Sequence, residues 1–332
     1  MENKIIRTVK GHISPDDLGY CQCHEHLFIA RGLSSEKVPS LVMEDLDKTV
    51  DELVMYHGKG GRAVVDAQPV GCGRMAKELL AASSRSNVHI IASTGFHKLD
   101  FYNKNHYIYE LNREQLTQFF VDELVSGMFI DCVNGPQVPT TRGTAKAGII
   151  KTASDGRNIF LKEDTLLVYN KLFMAAGAAA HETGAPVMTH LEMGKGAECL
   201  LEVLTSQGVL PDKIILCHLD RVINDEMRDY QLKVANSGVY LQLDTIGRLK
   251  YHSDEAEAEF IALLCEKGYE NKILIGLDTT NERLKSYGGS IGLDYIIDNF
   301  RNLLRKYGIG DDLFQKFTVS NPSKALSFLP IK

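Results

Sequence analysis

Short apolar runs punctuate this chain, and most are separated by stretches whose apolar residues repeat with a helical period. Eight runs are rich in Val, Ile and small residues: Leu18–Gln22, Arg62–Asp66, His89–Thr94, Ala147–Lys151, Pro186–Thr189, Lys213–Cys217, Val239–Leu243 and Lys272–Gly276. Between them, Asp45–Tyr56 places Leu46, Val50, Leu53 and Val54 at helical spacing. Glu163–Glu182 is Ala- and Leu-rich and ends before Gly184 and Pro186. Glu198–Thr205, Glu255–Lys267 and Asp294–Tyr307 read the same way, the last stopped by Gly308. Glu110–Gln118 and Phe119–Ser126 are two further helical stretches in a longer connection before the fourth strand. Strands alternating with helices imply a parallel sheet. Eight such units favour a closed (β/α)₈ TIM barrel over an open sheet. No linker rich in Pro, Gly or Ser divides the chain, so residues 1–332 are expected to form one domain.

Bulk properties narrow the function. Hydrophobic residues make up 44% of the 332, enough for a sizeable core. The formal net charge of −6 leaves no electrostatic footprint for nucleic acid. No apolar run approaches the ~20 residues of a membrane span, and the opening Met-Glu-Asn-Lys-Ile-Ile-Arg is not a secretory signal. Seven scattered cysteines suggest reduced thiols in a cytoplasm. There is no G-x-G-x-x-G and no P-loop; Gly58, Gly60 and Gly61 read as a helix stop and turn.

Polar residues of particular types close the apolar runs. His24 and His26 follow the first, Lys151 ends the fourth, His190 the fifth, His218 the sixth and Asp278 the eighth. Taken singly, a histidine after a strand is a hydrogen-bonded structural residue, Lys151 a surface lysine and Asp278 a helix cap. Together they share one phase of the strand–helix unit. In a parallel barrel they therefore converge on the face that carries active sites. His-x-His on an extended segment offers two imidazoles to one metal ion. Cys23, just before them, is expected on the opposite face with Cys21, packed between strand and helix layers.

The segments Gly19-Tyr-Cys-Gln-Cys-His-Glu-His26, Ala147-Gly-Ile-Ile-Lys151, Pro186-Val-Met-Thr-His190, Ile214-Ile-Leu-Cys-His218, Ile275-Gly-Leu-Asp278 and Val319-Ser-Asn-Pro-Ser-Lys-Ala-Leu326 resemble the phosphotriesterase family of the amidohydrolase superfamily, including its lactonases. The resemblance spans essentially the whole chain. It implies two divalent metals, zinc first and manganese or cobalt as alternatives. His24, His26 and Asp278 would hold one, and His190 and His218 the other. Lys151 would bridge them as a carbamate, because an ammonium cannot ligate a cation. A hydroxide would be the second bridge and the attacking nucleophile, with Asp278 accepting its proton. The family also suggests a homodimer.

Substrate choice should lie in the last two loops, Asp244-Thr-Ile-Gly-Arg248-Leu-Lys250-Tyr251-His252 and Asp278-Thr-Thr-Asn-Glu-Arg283-Leu-Lys285-Ser-Tyr287. Their cations suit an anion pocket, with Arg283, Lys250 and Tyr287 the chosen contacts. A neutral phosphotriester gains little from such a pocket, and the chain has no tryptophan for an aromatic leaving group. A small anionic lactone, such as a phosphorylated aldonolactone (1,4-lactone 5-phosphate type), fits better. In Gly95-Phe96-His97-Lys98, Phe96 or His97 either lines the site or packs beneath its loop. The rival readings are an esterase of neutral esters, a sugar-acid isomerase or deaminase, and a non-catalytic metal-binding homologue.

Overall fold

All eight apolar runs become strands of one parallel sheet in the computed structural model, which describes residues 4–131 and 133–329. Met1 to Asn3, Cys132 and Pro330 to Lys332 lie outside the described residues, and with them parts of the N-terminal, cysteine and domain expectations. A short antiparallel hairpin comes first, β1 (Ile6–Thr8) and β2 (Gly11–Ile13), which the apolar pattern did not signal. The sheet strands follow in chain order: β3 (Cys21–Glu25), β4 (Ala63–Asp66), β5 (His89–Gly95), β6 (Ile149–Ala153), β7 (Val187–His190), β8 (Ile214–Cys217), β9 (Tyr240–Leu243) and β10 (Ile273–Ile275). Each pairs with its neighbours in sequence, giving a nearly closed (β/α)₈ TIM barrel. Among the described residues no ladder joins β10 to β3. The gap is sewn instead by Asp278 N donating to His24 O at 2.9 Å, and by Leu277 N and Thr279 N donating to the buried Glu25 carboxylate at 2.7 and 3.2 Å. Gly276 permits this approach, since a Cβ there would sit 2.9 Å from the His24 carbonyl oxygen.

The first strand starts three residues later than the apolar run. Pro15–Asp17 forms a 3₁₀ turn and Gly19 adopts φ 66°, so extended backbone begins only after them. The expected pair of helices over 110–126 is chiefly one helix, Arg113–Val125. Its start is fixed by reciprocal bonds between Asn112 and Gln115, a capping box. Of the described helices of ten residues or more, two escaped the periodicity reading, Ala76–Ser86 and Asp225–Ala235, both rich in polar residues.

Barrel strands bury both faces. Alternate residues such as Val64, Ile90, Ile150, Val187, Ile214 and Ile273 join the cluster under the helices. Their neighbours Ala63, Val65, Ile91, Ile149, Met188, Ile215 and Leu274 fill the lumen. Cys21 and Cys23 belong to this lumen set, not to the strand–helix layer expected for them. The cause is a bulge: between Gln22 and Glu25, β3 spends one residue more than β4, which shifts the alternation so that Cys21, Cys23, His24 and His26 all face the axis. The six described cysteines are all free. No described helix is long and apolar enough to cross a membrane.

Candidate metal centre and substrate cavity

The residues closing β3, β6, β7, β8 and β10 meet at the C-terminal rim of the lumen. His26 Nε2 lies 3.3 Å from Asp278 Oδ1, and His24 Nε2 3.6 Å from the same oxygen. Lys151 Nζ is 3.3 Å from His24 Nε2. On the far side, His218 Nε2 and His190 Nδ1 face each other at 2.8 Å. All six side chains are buried. His24, His26 and Asp278 present ligand-type atoms within 4.8 Å of one another.

Backbone strain helps to assemble this rim. Four described non-glycine residues have positive φ: Asn87, Met193, His218 and Asp278. Asn87 merely caps the helix Ala76–Ser86. At His218 (φ 68°) the left-handed turn breaks strand alternation, so that it joins Cys217 in facing the axis. Such strain persists where surroundings enforce it, commonly at functional sites.

The outer nitrogens are held by carboxylates. Asp244, fully buried, receives His24 Nδ1 on Oδ2 at 2.7 Å and His218 Nδ1 on Oδ1 at 2.5 Å. One carboxylate thus fixes one imidazole from each half of the cluster and turns both Nε2 atoms inward, the role such partners play behind metal ligands. Glu192 does the same for His190, its Oε2 3.3 Å from Nε2 and 2.7 Å from Lys98 Nζ. Burial holds three histidines neutral: His24 and His218 fall well below the usual range, and His190 to about 3. Neutral imidazoles keep the lone pair a metal requires. Asp278 behaves oppositely. Burial alone would raise it, but Arg248, His26 and His24 outweigh that and keep it well below the carboxylate range. Cys217 lies near His24 and Asp244, yet burial lifts its thiol far above neutrality, which disfavours thiolate ligation.

The donor set is therefore four inward imidazole nitrogens, one carboxylate and a lysine. That lysine is the telling member. It is 1% exposed, and among the described residues no carboxylate lies within ion-pairing distance; His24 is its polar neighbour. A buried, unpaired ammonium is costly. The residues fit divalent-cation binding, with His24, His26 and Asp278 offering one converging group of donors.

Above the rim opens a cavity of about 430 Å³. Its wall includes Lys98, Arg221, Arg248, Lys250 and Arg283 against Glu192, Asp278 and Glu282. Arg283 donates from Nη2 to Ile246 O at 2.6 Å, while its Nε and Nη1 have no partner among the described residues. Burial, then Arg248, push it down to about 10, the condition of a cation short of anions. Lys250 lines the cavity, 4.8 Å from the Tyr251 ring centre. Tyr287 stands outside the lining, bonded to Thr49 Oγ1 and Asp45 O, both at 2.9 Å. Lys285 is paired with Asp294, and His252 with Glu257. His97 lines the cavity, whereas Phe96 packs edge-on against Phe173.

The phosphotriesterase family model matches residues 4–326. The chain belongs to the phosphotriesterase family. Among its relatives is the phospho-furanose lactonase of Mycoplasmopsis synoviae, 32% identical over 99% of this chain and 93% of that one. A lactonase structure from Listeria monocytogenes superposes with a TM-score of 0.85 at 26% identity, covering 98% of this chain and 99% of that one. The phosphotriesterase homology protein of Escherichia coli, solved with phosphate in its active site, gives 0.80 at 28% identity, covering 94% and 99%. This phosphotriesterase-family member is an ester-hydrolysing enzyme with a small-molecule substrate.

Sequence reasoning passed over Asp244, Glu192 and Arg221. Asp244 carried a signal, because it follows the seventh apolar run just as the other rim residues follow theirs. Glu192 and Arg221 lie two and three residues beyond His190 and His218, reached through turns that no periodicity marks.

Proposed function

We propose that this enzyme is a binuclear lactonase that opens a phosphorylated sugar lactone of the 1,4-lactone 5-phosphate type. The observation carrying this reading is the buried Lys151, which has no carboxylate within ion-pairing distance among the described residues and has the His24 imidazole beside it. His24, His26 and Asp278 would hold one cation and His190 and His218 the other, with a Lys151 carbamate between them. Zinc suits this nitrogen-rich set, with manganese or cobalt as substitutes. Divalent ions bound there would polarise the lactone carbonyl and lower the pKa of water toward ~7.

The chain's own groups do the rest. Asp244 and Glu192 lock the imidazoles in one tautomer and orientation. Asp278, kept anionic by Arg248 and its histidine neighbours, takes the proton of the attacking water and returns it to the ring oxygen as the acyl C–O bond breaks. Lactone plus water becomes a hydroxy acid, whose carboxyl loses its proton to solvent. Arg283 and Lys250 receive the phosphate, and Tyr287 supports the wall behind them. The five cations around the cavity favour an anionic substrate over a neutral ester.

A rate screen of paired lactones, with and without a phosphate, run alongside metal analysis, tests the reading. Two metals per chain and a kcat/KM advantage for the phosphorylated partner are expected, with Arg283→Met abolishing the advantage. Equal rates for both partners would remove the phosphate, and a metal-free active enzyme would remove the metal centre.

A further inference from the structure

Two guanidinium groups of the cavity wall remain unused by the phosphate pocket. Arg221, 9% exposed, places Nη2 3.3 Å from Asp278 Oδ2 and 3.2 Å from His218 Nε2. Arg248 places Nη2 3.3 Å from the same Asp278 oxygen and also bonds the Asp278 carbonyl. In both, Nε is buried without a partner among the described residues. Two guanidinium groups therefore converge on one carboxylate oxygen, and each keeps an Nε–H without a partner among the described residues. Buried guanidinium N–H groups are ordinarily hydrogen-bonded, and these two line an open cavity. The deficit points to a missing anion.

The chemistry says where that anion arises. Opening a lactone turns the carbonyl carbon into a carboxylate, and the reacting carbon must lie beside Asp278 if that residue handles the proton. The two guanidiniums sit at that spot, and their planar forks suit a carboxylate. Resting on the lactonase reading above, we infer that Arg221 and Arg248 form a carboxylate subsite for the newly made product. The cavity is then a receptor for two anions, phosphate at Arg283 and Lys250, carboxylate at Arg221 and Arg248. Product binds more tightly than a neutral-ended analogue, and its departure slows turnover.

The test compares two inhibitors of the metal-loaded enzyme: an open-chain five-carbon aldonate 5-phosphate and the pentitol 5-phosphate, which differs only in carrying CH₂OH for the carboxylate. The aldonate should inhibit about tenfold or more tightly. In Arg221→Met that ratio should fall to about one while pentitol phosphate affinity and metal content hold. If that variant does not fold, Arg221→Lys should show an intermediate ratio, because a single ammonium cannot form the fork. A wild-type ratio near one overturns the subsite. So does a ratio that survives in the Arg221 variant at full metal content, which would give the carboxylate to the metals alone. The underlying reading fails separately: no lactone in the screen is turned over, or Arg283→Met leaves pentitol phosphate binding unchanged.

Discussion

Arg74 and Glu123 form one buried charged cluster, and the rim of the lumen forms another, yet the two are built on different rules. Arg74 meets Glu123 in a two-pronged pair at 2.8 and 2.6 Å, and its guanidinium also donates to Ser93 O and Phe129 O. Glu123 in turn accepts from Phe129 N at 2.8 Å. The pair balances its own charge, and it pins the segment after Arg113–Val125 to the barrel. The rim is left open. Two histidine nitrogens face each other, and among the described residues Lys151 meets no anion and Arg221, Arg248 and Arg283 retain unused N–H groups. The fold's own pair meets cation with anion one for one; at the rim, among the described residues, a buried lysine meets none.

That contrast can be broken or sharpened by mutation. The greatest change is expected at Lys151. Lys151→Ala should cost more turnover than the 10² to 10⁴-fold typical of a lost proton-transfer group, about the scale expected of Asp278→Asn. Small carboxylic acids should restore part of it, and the metal-free protein should be no less stable. Full metal content and rate in Lys151→Ala would end the bridging role. Next comes Arg74→Met, which strands Glu123 and should cost about 3–5 kcal/mol of stability by denaturant unfolding. Its kcat per folded molecule should match the parent; a selective loss of kcat would mean the two clusters communicate. Asp244→Asn should follow, weakening metal retention about 10- to 100-fold in chelator competition. Because Asp244 holds an imidazole on each side, both metals should be released more readily, whereas release of one alone would deny its double role. The smallest effect is expected from Met193→Gly, which relieves a left-handed residue (φ 50°) beside Glu192. It should raise the thermal midpoint slightly, reflecting roughly 1 kcal/mol of backbone strain. A clear drop would show that Met193 is not strained.

The strands and the six rim residues were legible because they depend on local order: apolar runs bury in the sheet, and the residues at the end of each run land on one face. What stayed hidden depends on irregular backbone or on partners distant in sequence. The alternation rule misplaced Cys21 and Cys23 because a bulge is a one-residue event without a composition of its own. Tyr287 looked like a ligand contact in the loop, but its hydroxyl turns toward Thr49, 238 residues away in sequence. Asp244 is chemically ordinary until His24 and His218 are seen to flank it. Helices Ala76–Ser86 and Asp225–Ala235 were missed because their apolar faces are narrow and interrupted by polar residues.

The seam between β3 and β10 has a consequence for biogenesis. Glu25 and the Thr279 amide that it receives are 254 positions apart, so the barrel's first and last staves meet only after most of the polypeptide has left the ribosome. Such distant pairings make for slow folding. Since His24 and Asp278 lie on the two sides of that seam, ion capture should be a late event, and a nascent chain stalled before the eighth stave should emerge without Asp278, one of the six candidate ligands.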